Sequence, residues 1–371
     1  MHTRTLLALS LLGLAPHAFA ATDEWPTRAH FDDGIELGVK GNFQYDTNQF
    51  STDHFDDATT WRRQVVTLYG AKKGVFNADV GYDFQSNAWQ DVFLGATTGI
   101  GNFRLGEFKT PVGMEDGATS ASATTFLETS LAGQAVYEGR RLGLEWKYTG
   151  LSRWAFQLAY FGRHDLNDAA SGNTAAARAV FNPVNEGNEV IHLGLSASRE
   201  ARDDRTARVR ARPEVNLTTI RLVDTGTLTG VDRIERAGLE AAWLHGPWLA
   251  QAEYLTLDAH RNIGSNYRSD GYYVSGSWLL TGESRRYRNN AFGDPTPARD
   301  WGALEFALRY SAVDLDDGVV RGGEQHDWTL GVNWYLPKGF KLQANYIRAW
   351  SDRRGVSVDP EIFALRAQLA F

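Results

Sequence analysis

Three arginines at alternating positions carry the clearest chemical signal in this sequence. The stretch 207–216 reads ARVRARPEVN and alternates arginine with small apolar residues. The arginines are Arg208, Arg210 and Arg212, and the residues between them are Ala207, Val209 and Ala211. In an extended strand these two sets point to opposite faces. A guanidinium stays charged and donates a rigid fork of N–H groups, so such a row suits phosphate and carboxylate anions.

The overall charge limits the partners of such a row. The net charge of −7 argues against nucleic acid. Within that acidic total the chain has seven lysines, so 31 of its 38 basic residues are arginine. Codon composition is one source of this bias, and a demand for anion binding is another. The sequence has no cysteine, which excludes disulfides, iron–sulfur clusters and thiol catalysis.

The first twenty residues have the pattern of a signal peptide. Arg4 gives a positive start, residues 6–15 (LLALSLLGLA) form an apolar core, and residues 18–20 (AFA) form a cleavage site. The alternative, a membrane-spanning anchor, needs a longer apolar run. We therefore expect residues 1–20 to be removed on export and residues 21–371 to form one domain.

Period-two alternation recurs along the whole chain and predicts β-strands. In the segment IELGVKGNFQYD, for example, Ile35, Leu37 and Tyr45 lie on one face, and Lys40 and Gln44 lie on the other. Turn sequences rich in Gly, Pro and Asp separate such runs, and no comparable set of helical segments is present. The pattern therefore indicates a single all-β domain.

Two architectures fit many alternating strands. A soluble β-sandwich buries its apolar face, whereas a membrane barrel turns that face to lipid and encloses a wet lumen. The apolar faces here are large and aromatic near strand ends, and the chain contains 12 Trp and 14 Tyr, which concentrate at membrane–water boundaries. The polar faces carry Lys, Arg, Glu and Gln. We therefore predict a closed antiparallel transmembrane β-barrel.

The length of the chain sets the size of this barrel. At roughly 20 to 24 residues per strand the mature chain accommodates about 14 to 18 strands, and an even count favours 16. From Lys109 to Arg140 the alternation lapses. Because a long irregular segment in a compact domain is usually functional, we predict that residues 109–140 fold into the lumen as a constriction loop. An external loop is the alternative.

Common catalytic and metal-binding motifs are absent from the sequence. No His-Glu-x-x-His, P-loop or Gly-x-Ser-x-Gly motif occurs, and the nine histidines lack metal-ligand spacing. The segment DLDDG at 314–318 indicates a turn rather than a calcium loop. We therefore expect no cofactor and no metal. Scattered residues such as Ser152 and His164 leave an outer-membrane lipid hydrolase as a minor alternative.

Several motifs in a fixed order resemble the phosphate-selective porin O/P family of outer-membrane proteins. The motifs are GEFKTPVGMED, FLETSL, EGRRLGL, RARPE, LVDTG, GLEAAWLHGPWLAQAEY, GYYVSGSWLLTGESRRY, WGALEFALRYS and TLGVNWYL. Each motif is modest alone, but their order makes the likeness specific over nearly the whole mature chain. The resemblance implies a sixteen-stranded barrel, a homotrimer in the bacterial outer membrane, and passive uptake of anions, with phosphate in the best-known members.

The resemblance also implies roles for particular arginines. In the family, the strand with the RARPE-type motif turns its arginines into the lumen as a ladder, and Arg208, Arg210 and Arg212 would be its rungs. The small residues between them would then face lipid. The alternative is a basic strand or loop facing bulk solvent. Arg62 and Arg63 lie where the family keeps a paired arginine at the constriction, and both face inward only if a bulge intervenes.

One segment departs from the family pattern. Phosphate-specific members carry a lysine on the inward loop shortly before a Thr-Ser-Ser stretch, whereas this chain reads MEDGATSAS at 114–122. Gly117 or a neighbour stands where that lysine would be. Lys109 is the only lysine of the loop and lies at its start. The expected constriction residues are Glu115, Asp116, Gly117, Thr119 and Ser120. The two carboxylates are expected to repel an anion by about 1 kcal/mol or more each, which puts strict phosphate selectivity in doubt.

Together these features predict an outer-membrane channel for small anions. Phosphate, pyrophosphate or polyphosphate would pass along Arg62, Arg63, Lys109 and the arginine row. The predicted partners are those anions, outer-membrane lipid and further copies of the chain in a homotrimer. A sugar-selective or general porin is the first alternative, and a non-conducting surface binding barrel is the second. Enzymatic activity is not expected.

Overall fold

The computed structural model describes residues 27–52 and 55–371. The predicted signal peptide, residues 1–20, lies outside the described residues. Among the described residues, no helix is long and apolar enough to cross a membrane.

Within these ranges the chain forms twenty-four strands, one α-helix and one 3₁₀ turn. The helix α1 spans Leu131–Val136 and the 3₁₀ turn spans Pro337–Gly339. The strands are β1 (Arg28–His30), β2 (Ile35–Phe50), β3 (Ala58–Lys72), β4 (Phe76–Asp83), β5 (Ala88–Thr98), β6 (Gly101–Lys109), β7 (Arg140–Leu151), β8 (Trp154–Phe161), β9 (Thr174–Glu186), β10 (Glu189–Ala201), β11 (Thr206–Ala207), β12 (Arg210–Ala211), β13 (Val223–Asp224), β14 (Leu228–Thr229), β15 (Val231–His245), β16 (Trp248–Arg261), β17 (Tyr267–Leu279), β18 (Arg285–Arg288), β19 (Ala291–Pro295), β20 (Ala303–Asp317), β21 (Val320–Tyr335), β22 (Phe340–Arg353), β23 (Val356–Ser357) and β24 (Glu361–Ala370).

Sixteen long strands of the described chain form one closed antiparallel barrel. They are β2–β10, β15–β17, β20–β22 and β24, and each pairs with the next in that order. Strand β24 pairs back onto β2, with Leu369 opposite Phe43 and Ile362 opposite Phe50, which closes the sheet. The predicted closed barrel of about sixteen strands is therefore confirmed.

Burial alternates along the barrel strands. On β2, Leu37 and Tyr45 are exposed, whereas Gln44 and Asp46 are buried. Exposed tryptophans and leucines repeat on the outside of the other strands, as Trp243, Leu308 and others show. Apolar side chains therefore cover the outside of the barrel and polar side chains fill its interior, which is the arrangement of a barrel in lipid.

Turn lengths distinguish the two ends of the barrel. The end where β2 begins and β24 finishes, here the terminal end, has turns of two to four residues at 73–75, 99–100, 152–153, 187–188, 246–247 and 336–339. The opposite end, here the loop end, carries the longer segments 110–139, 162–173 and 202–230. One long segment, 280–302, is an exception because it leaves from the terminal end.

Segment 110–139, here the crossing loop, runs through the interior of the barrel. Lys341 Nζ donates to the carbonyl oxygen of Ser122 at 2.7 Å, and Arg366 Nη1 donates to that of Leu127 at 2.6 Å. On β16, four strands from β22 around the barrel, the Glu253 carboxylate accepts the backbone N–H groups of Met114 at 2.6 Å and Glu115 at 2.7 Å. Contacts to separate parts of the wall therefore hold the loop inside the barrel.

Segment 202–230, here the arginine loop, also lies inside the barrel. Its alternation is as predicted, but the apolar face does not meet lipid. Ala207, Val209 and Ala211 are buried in a cluster with Leu131 and Ala132 of α1 and with inward-facing residues of the wall. The prediction that these three residues face lipid is wrong, because the crossing loop supplies an apolar surface inside the barrel that the strand pattern does not reveal.

A third interior segment was not predicted from the sequence. Residues 280–302 form a short hairpin of β18 and β19 that enters from the terminal end. Arg285 pairs with Glu305 of the wall at 2.7 Å, and Phe292 packs against Met114 of the crossing loop. The hairpin therefore fills part of the lumen beneath the crossing loop.

Two glycines with nearly the same backbone conformation allow a test of the packing where the barrel closes. Gly339 has φ of +78° and Gly355 has φ of +76°. A Cβ atom at Gly339 would overlap the carbonyl oxygen of Ala370 on the closing strand, whereas one at Gly355 would meet no atom within 4 Å. We expect Gly339→Ala to lower the free energy of unfolding by about 1–3 kcal/mol more than Gly355→Ala, measured by urea unfolding in lipid vesicles. Equal losses would contradict this packing.

Candidate functional site

Two cavities lie in the lumen on either side of the crossing loop. The terminal cavity has a volume of about 1010 Å³ and extends to Phe371, and the loop-end cavity has a volume of about 430 Å³ and is walled by the arginine loop. Arg63 lines both cavities. Arg63 is therefore a wall residue that the two cavities share.

A β-bulge explains why two adjacent arginines face the lumen. On β3, Arg63 lies opposite Gln44 and Trp61 lies opposite Tyr45, so Arg62 is an additional residue in the pairing. Because of this bulge, Arg62 joins Arg63 on the loop-end cavity wall while Trp61 stays on the outside. The sequence slightly favoured Arg62 over Arg63 as the inward residue, and the structure places both on the cavity wall.

Arg62 is paired with a carboxylate, whereas Arg63 is not. Arg62 Nε donates to Glu128 Oε1 at 2.6 Å and Nη2 donates to Oε2 at 2.9 Å. Burial raises the pKa of the Glu128 carboxyl, but the ion pairs with Arg62 and then Arg366 lower it well below its usual range. Arg63 forms no ion pair with any residue in the ranges 27–52 and 55–371. Its charge is therefore free to act on a solute.

The arginine row likewise contains both paired and unpaired guanidiniums. All three guanidiniums line the loop-end cavity, but Arg208 is paired with Asp224, its Nε lying 2.9 Å from Oδ1. Arg212 donates to the carbonyl oxygen of Thr218 and to Asn216 and has no carboxylate partner among the described residues. Arg210 is exposed in the cavity and has no ion pair within the described chain. Two of the three predicted rungs therefore carry uncompensated charge.

A fourth unpaired guanidinium was missed by the sequence analysis. Arg221 lines the loop-end cavity and has no carboxylate partner in the described part of the chain. Burial and then the neighbouring charges of Arg212 and Arg210 lower its pKa to about 10, which leaves it charged at neutral pH. Arg221 lies outside the period-two row, so only the return of the arginine loop reveals it.

The lining of both cavities is strongly positive. Eight arginines and two acidic residues line the described wall of the loop-end cavity. Ten basic and four acidic residues line that of the terminal cavity. Since the whole chain has a net charge of −7, the positive charge is concentrated in the lumen. Such a lumen attracts anions and repels cations.

Glu115 does not lie beside the cavities, contrary to its expected position at the constriction. Its carboxylate accepts a hydrogen bond from Arg309 Nη1 at 2.8 Å and another from the backbone N–H of Ser130 at 2.9 Å. Glu115 lines neither of the two cavities described above. An arginine of the wall therefore pairs with this carboxylate and shares its charge between Glu115 and Glu214. The sequence did not indicate that pairing because Arg309 is 194 residues away from Glu115.

Asp116 does face the loop-end cavity. Burial and then the nearby Glu115 charge raise the pKa of its carboxyl to about 7, although Lys109 lowers it. Its Oδ2 atom is buried without a hydrogen-bond partner among the described residues. Asp116 is therefore partly protonated near neutral pH, which weakens the repulsion expected from the sequence.

The remaining expected constriction residues line the terminal cavity. Lys109 Nζ donates to the carbonyl oxygens of Asp116 and Thr119, each at 2.7 Å, so this cation positions the crossing loop. Ser120 is exposed to the cavity. A Cβ atom at Gly117 would lie 2.5 Å from the carbonyl oxygen of Val112. Since no side chain fits there, this loop follows a path that excludes a lysine at Gly117.

Comparisons with known proteins cover the whole barrel. The family model described as phosphate-selective porin O and P matches residues 37–371. Porin O of Pseudomonas aeruginosa is 28% identical over an alignment that covers 92% of this chain and 89% of that protein. An uncharacterized protein of Caulobacter vibrioides is also 28% identical, with 87% of this chain and 70% of that protein covered.

Solved porin structures share the architecture. The anion-selective porin from Comamonas acidovorans superposes with a TM-score of 0.61 at 13% identity, covering 91% of this chain and 100% of that chain. The trimer form of OmpT from Vibrio cholerae gives a TM-score of 0.61 at 14% identity, with the same coverage. At these identities the likeness shows the fold alone.

Arg62 and Arg63 provide a matched test of free against paired charge. We expect Arg63→Gln to lower the ratio of chloride to potassium permeability by about fivefold, because about 1 kcal/mol of attraction is lost at close range in water. Removal of the neutral pair, Arg62→Gln with Glu128→Gln, should change the ratio much less. Reversal potentials in a KCl gradient across planar bilayers measure both. A larger effect of the neutral pair would refute this assignment.

The Asp116 carboxyl gives the lumen a dependence on pH. As pH rises from 6 to 8 the carboxyl loses its proton and adds negative charge to the loop-end cavity. The ratio of chloride to potassium permeability should therefore fall by about two- to fivefold over this range. Chloride is the suitable probe because it does not titrate. Asp116→Asn should abolish the fall, and a fall of the same size in that variant would exclude Asp116 as its source.

Proposed function

The chain belongs to the phosphate-selective porin O and P family, and from that premise we propose that it conducts small anions passively along the unpaired arginines of its lumen. The protein is an outer-membrane β-barrel, as its motifs predicted. The proposed path runs from the loop-end cavity past Arg63 into the terminal cavity. Because long loops face outward and short turns face the periplasm in such barrels, we place the loop end outside.

The observation that carries the proposal is a group of guanidiniums without carboxylate partners in the described chain. They are Arg63, Arg210, Arg212 and Arg221, together with Arg286 on the wall of the terminal cavity. Each offers N–H donors that replace water lost by an anion entering the lumen. In water each attracts a monovalent anion by about 1 kcal/mol at 4 Å, which is strong enough to admit it and weak enough to release it. Several such sites in series favour conduction over trapping.

Phosphate is the anion class that the family description favours. The related protein in Pseudomonas aeruginosa is named porin O. Unpaired guanidiniums suit phosphate oxygens because one guanidinium binds two oxygens at once. The resemblance places the loop lysine of phosphate-specific members at Gly117 or a neighbour, and no side chain fits at Gly117. We therefore propose that phosphate passes by the arginines alone, and that pyrophosphate and polyphosphate share this path.

A sugar path is less well supported by the lining. Sugar channels guide their substrates over stacked aromatic rings, whereas Tyr137 is the single aromatic residue on the described wall of the loop-end cavity. Eight arginines line the same cavity. We therefore propose that the channel selects its solutes by charge rather than by stacking on aromatic rings. Passive conduction of this kind needs no enzymatic activity.

We also propose that the protein assembles as a homotrimer in contact with outer-membrane lipid. The structurally similar OmpT is described in a trimer form. Exposed tryptophans and leucines form the outer surface, as in Trp248, Leu330 and Phe363. Such a surface is stable only against lipid or another apolar surface.

Block of chloride current by phosphate tests the proposal. We expect Arg210→Ala with Arg212→Ala to weaken the block about tenfold or more, because two free charges of about 1 kcal/mol each are lost. Arg208→Ala with Asp224→Ala removes a neutral pair from the same loop and should leave the block nearly unchanged. Single-channel recordings of purified protein measure both. If wild-type protein shows no anion preference, the proposed function is wrong.

A further inference from the structure

A buried ion pair lies directly behind the arginine row. Glu214 follows Arg212 by two residues and belongs to the RARPE motif. Its side chain is fully buried, and the side chain of Arg309 on β20 is 1% exposed. Arg309 Nη2 lies 2.7 Å from Glu214 Oε2. Neither residue lines the terminal or the loop-end cavity, so neither meets a passing anion in the described lumen.

Glu214 fastens the arginine loop to the wall of the barrel. Its carboxylate accepts the hydroxyl of Ser311 on β20 at 2.6 Å and the hydroxyl of Thr329 on β21. Ser311 also accepts the backbone N–H of Leu131 at the start of α1, at 3.3 Å. With Arg309 these contacts give the carboxylate three donors from two adjacent strands.

Arg309 joins the arginine loop to the crossing loop. Its Nη1 donates to Glu115 at 2.8 Å, and its Nη2 donates to the carbonyl oxygen of Glu128 at 2.9 Å. Its guanidinium also lies 4.3 Å from the ring centre of Phe126. The buried guanidinium of Arg309 therefore contacts both the arginine loop and the crossing loop. Both loops carry residues that line the proposed anion path.

The backbone at Glu214 agrees with an anchoring role. Its φ is +51°, a region that residues with a side chain rarely occupy. Such a conformation persists where surrounding contacts fix it, and here the carboxylate contacts do so. The turn places Arg212 two residues away with its backbone N–H on Gln134 of α1 at 3.0 Å.

We propose that Glu214 and Arg309 are positioning residues for anion selectivity. The ion pair between them fixes the arginine loop so that Arg210 and Arg212 project into the loop-end cavity. This inference rests on the proposed function, because it assumes that those two arginines select the anion.

The direction of the change in anion preference distinguishes a positioning role of Glu214 and Arg309 from a direct electrostatic effect of their charges on the anion. Through its field alone, loss of the negative Glu214 would strengthen anion preference, and loss of the positive Arg309 would weaken it. Through positioning, either loss frees the arginine loop and weakens the preference. Glu214→Gln is therefore the decisive variant, since the two explanations predict opposite changes.

The test measures the ratio of chloride to potassium permeability of purified full-length protein in planar bilayers. We expect Glu214→Gln to lower the ratio by about threefold and Arg309→Gln to lower it at least as much, because Arg309 also holds Glu115 of the crossing loop. The double variant should fall no further than Arg309→Gln, because Glu214 acts through Arg309. Asp327→Asn is the matched control. It removes a buried carboxylate from the same wall whose side-chain hydrogen bonds go to Gln325 rather than to either loop.

A milder variant keeps the test decisive if Glu214→Gln does not fold, as judged by heat-modifiable migration on gels. Ser311→Ala with Thr329→Val removes two hydroxyl donors from Glu214 and should lower the ratio in the same direction. An unchanged or higher ratio in a folded Glu214 variant, or in this milder variant, overturns the inference. If Arg210→Ala with Arg212→Ala lowers the anion preference but the Glu214 variants do not, the positioning role of Glu214 is wrong while the proposed function stands.

Discussion

A guanidinium is costly in a dry interior unless a carboxylate and other acceptors surround it. This constraint decides where the arginines inside the barrel lie. The deeply buried ones are paired with carboxylates, as Arg178–Glu240, Arg285–Glu305, Arg309–Glu214 and Arg366–Asp46. Five arginines without such partners in the described chain line the cavities instead, namely Arg63, Arg210, Arg212, Arg221 and Arg286. The proposed path of an anion is therefore set by where carboxylates are missing rather than by where arginines are present.

The barrel itself could be predicted from the sequence because lipid outside and water inside impose a period of two on every strand. The alternation of Leu37 and Tyr45 with Gln44 separates the two faces of a strand, and the abundance of Trp and Tyr then indicates that the apolar face meets lipid. The hairpin in 280–302 could not be predicted, because its anchors come from distant strands. Arg285 reaches Glu305, and Tyr287 reaches His192 at 2.6 Å, contacts that no local pattern contains.

The site could be predicted only in part for the same reason. Alternation correctly separated Arg208, Arg210 and Arg212 from the small residues between them, but it could not show that the apolar face packs on α1 instead of lipid. Nor could it show which rung is neutralised, since Asp224 lies 16 residues from Arg208. Residue type indicates that a charge is present, whereas tertiary pairing decides whether that charge reaches a solute.

The central claim concerns unpaired charge, and anomalous diffraction from crystals soaked in bromide tests it most directly. Bromide is a monovalent anion whose anomalous signal identifies each site without assumptions about chemistry. Bromide peaks should lie beside the unpaired Arg63, Arg210, Arg212, Arg221 and Arg286 and be absent beside the paired Arg208. Peaks beside paired arginines, or a lumen without bromide, would contradict the account.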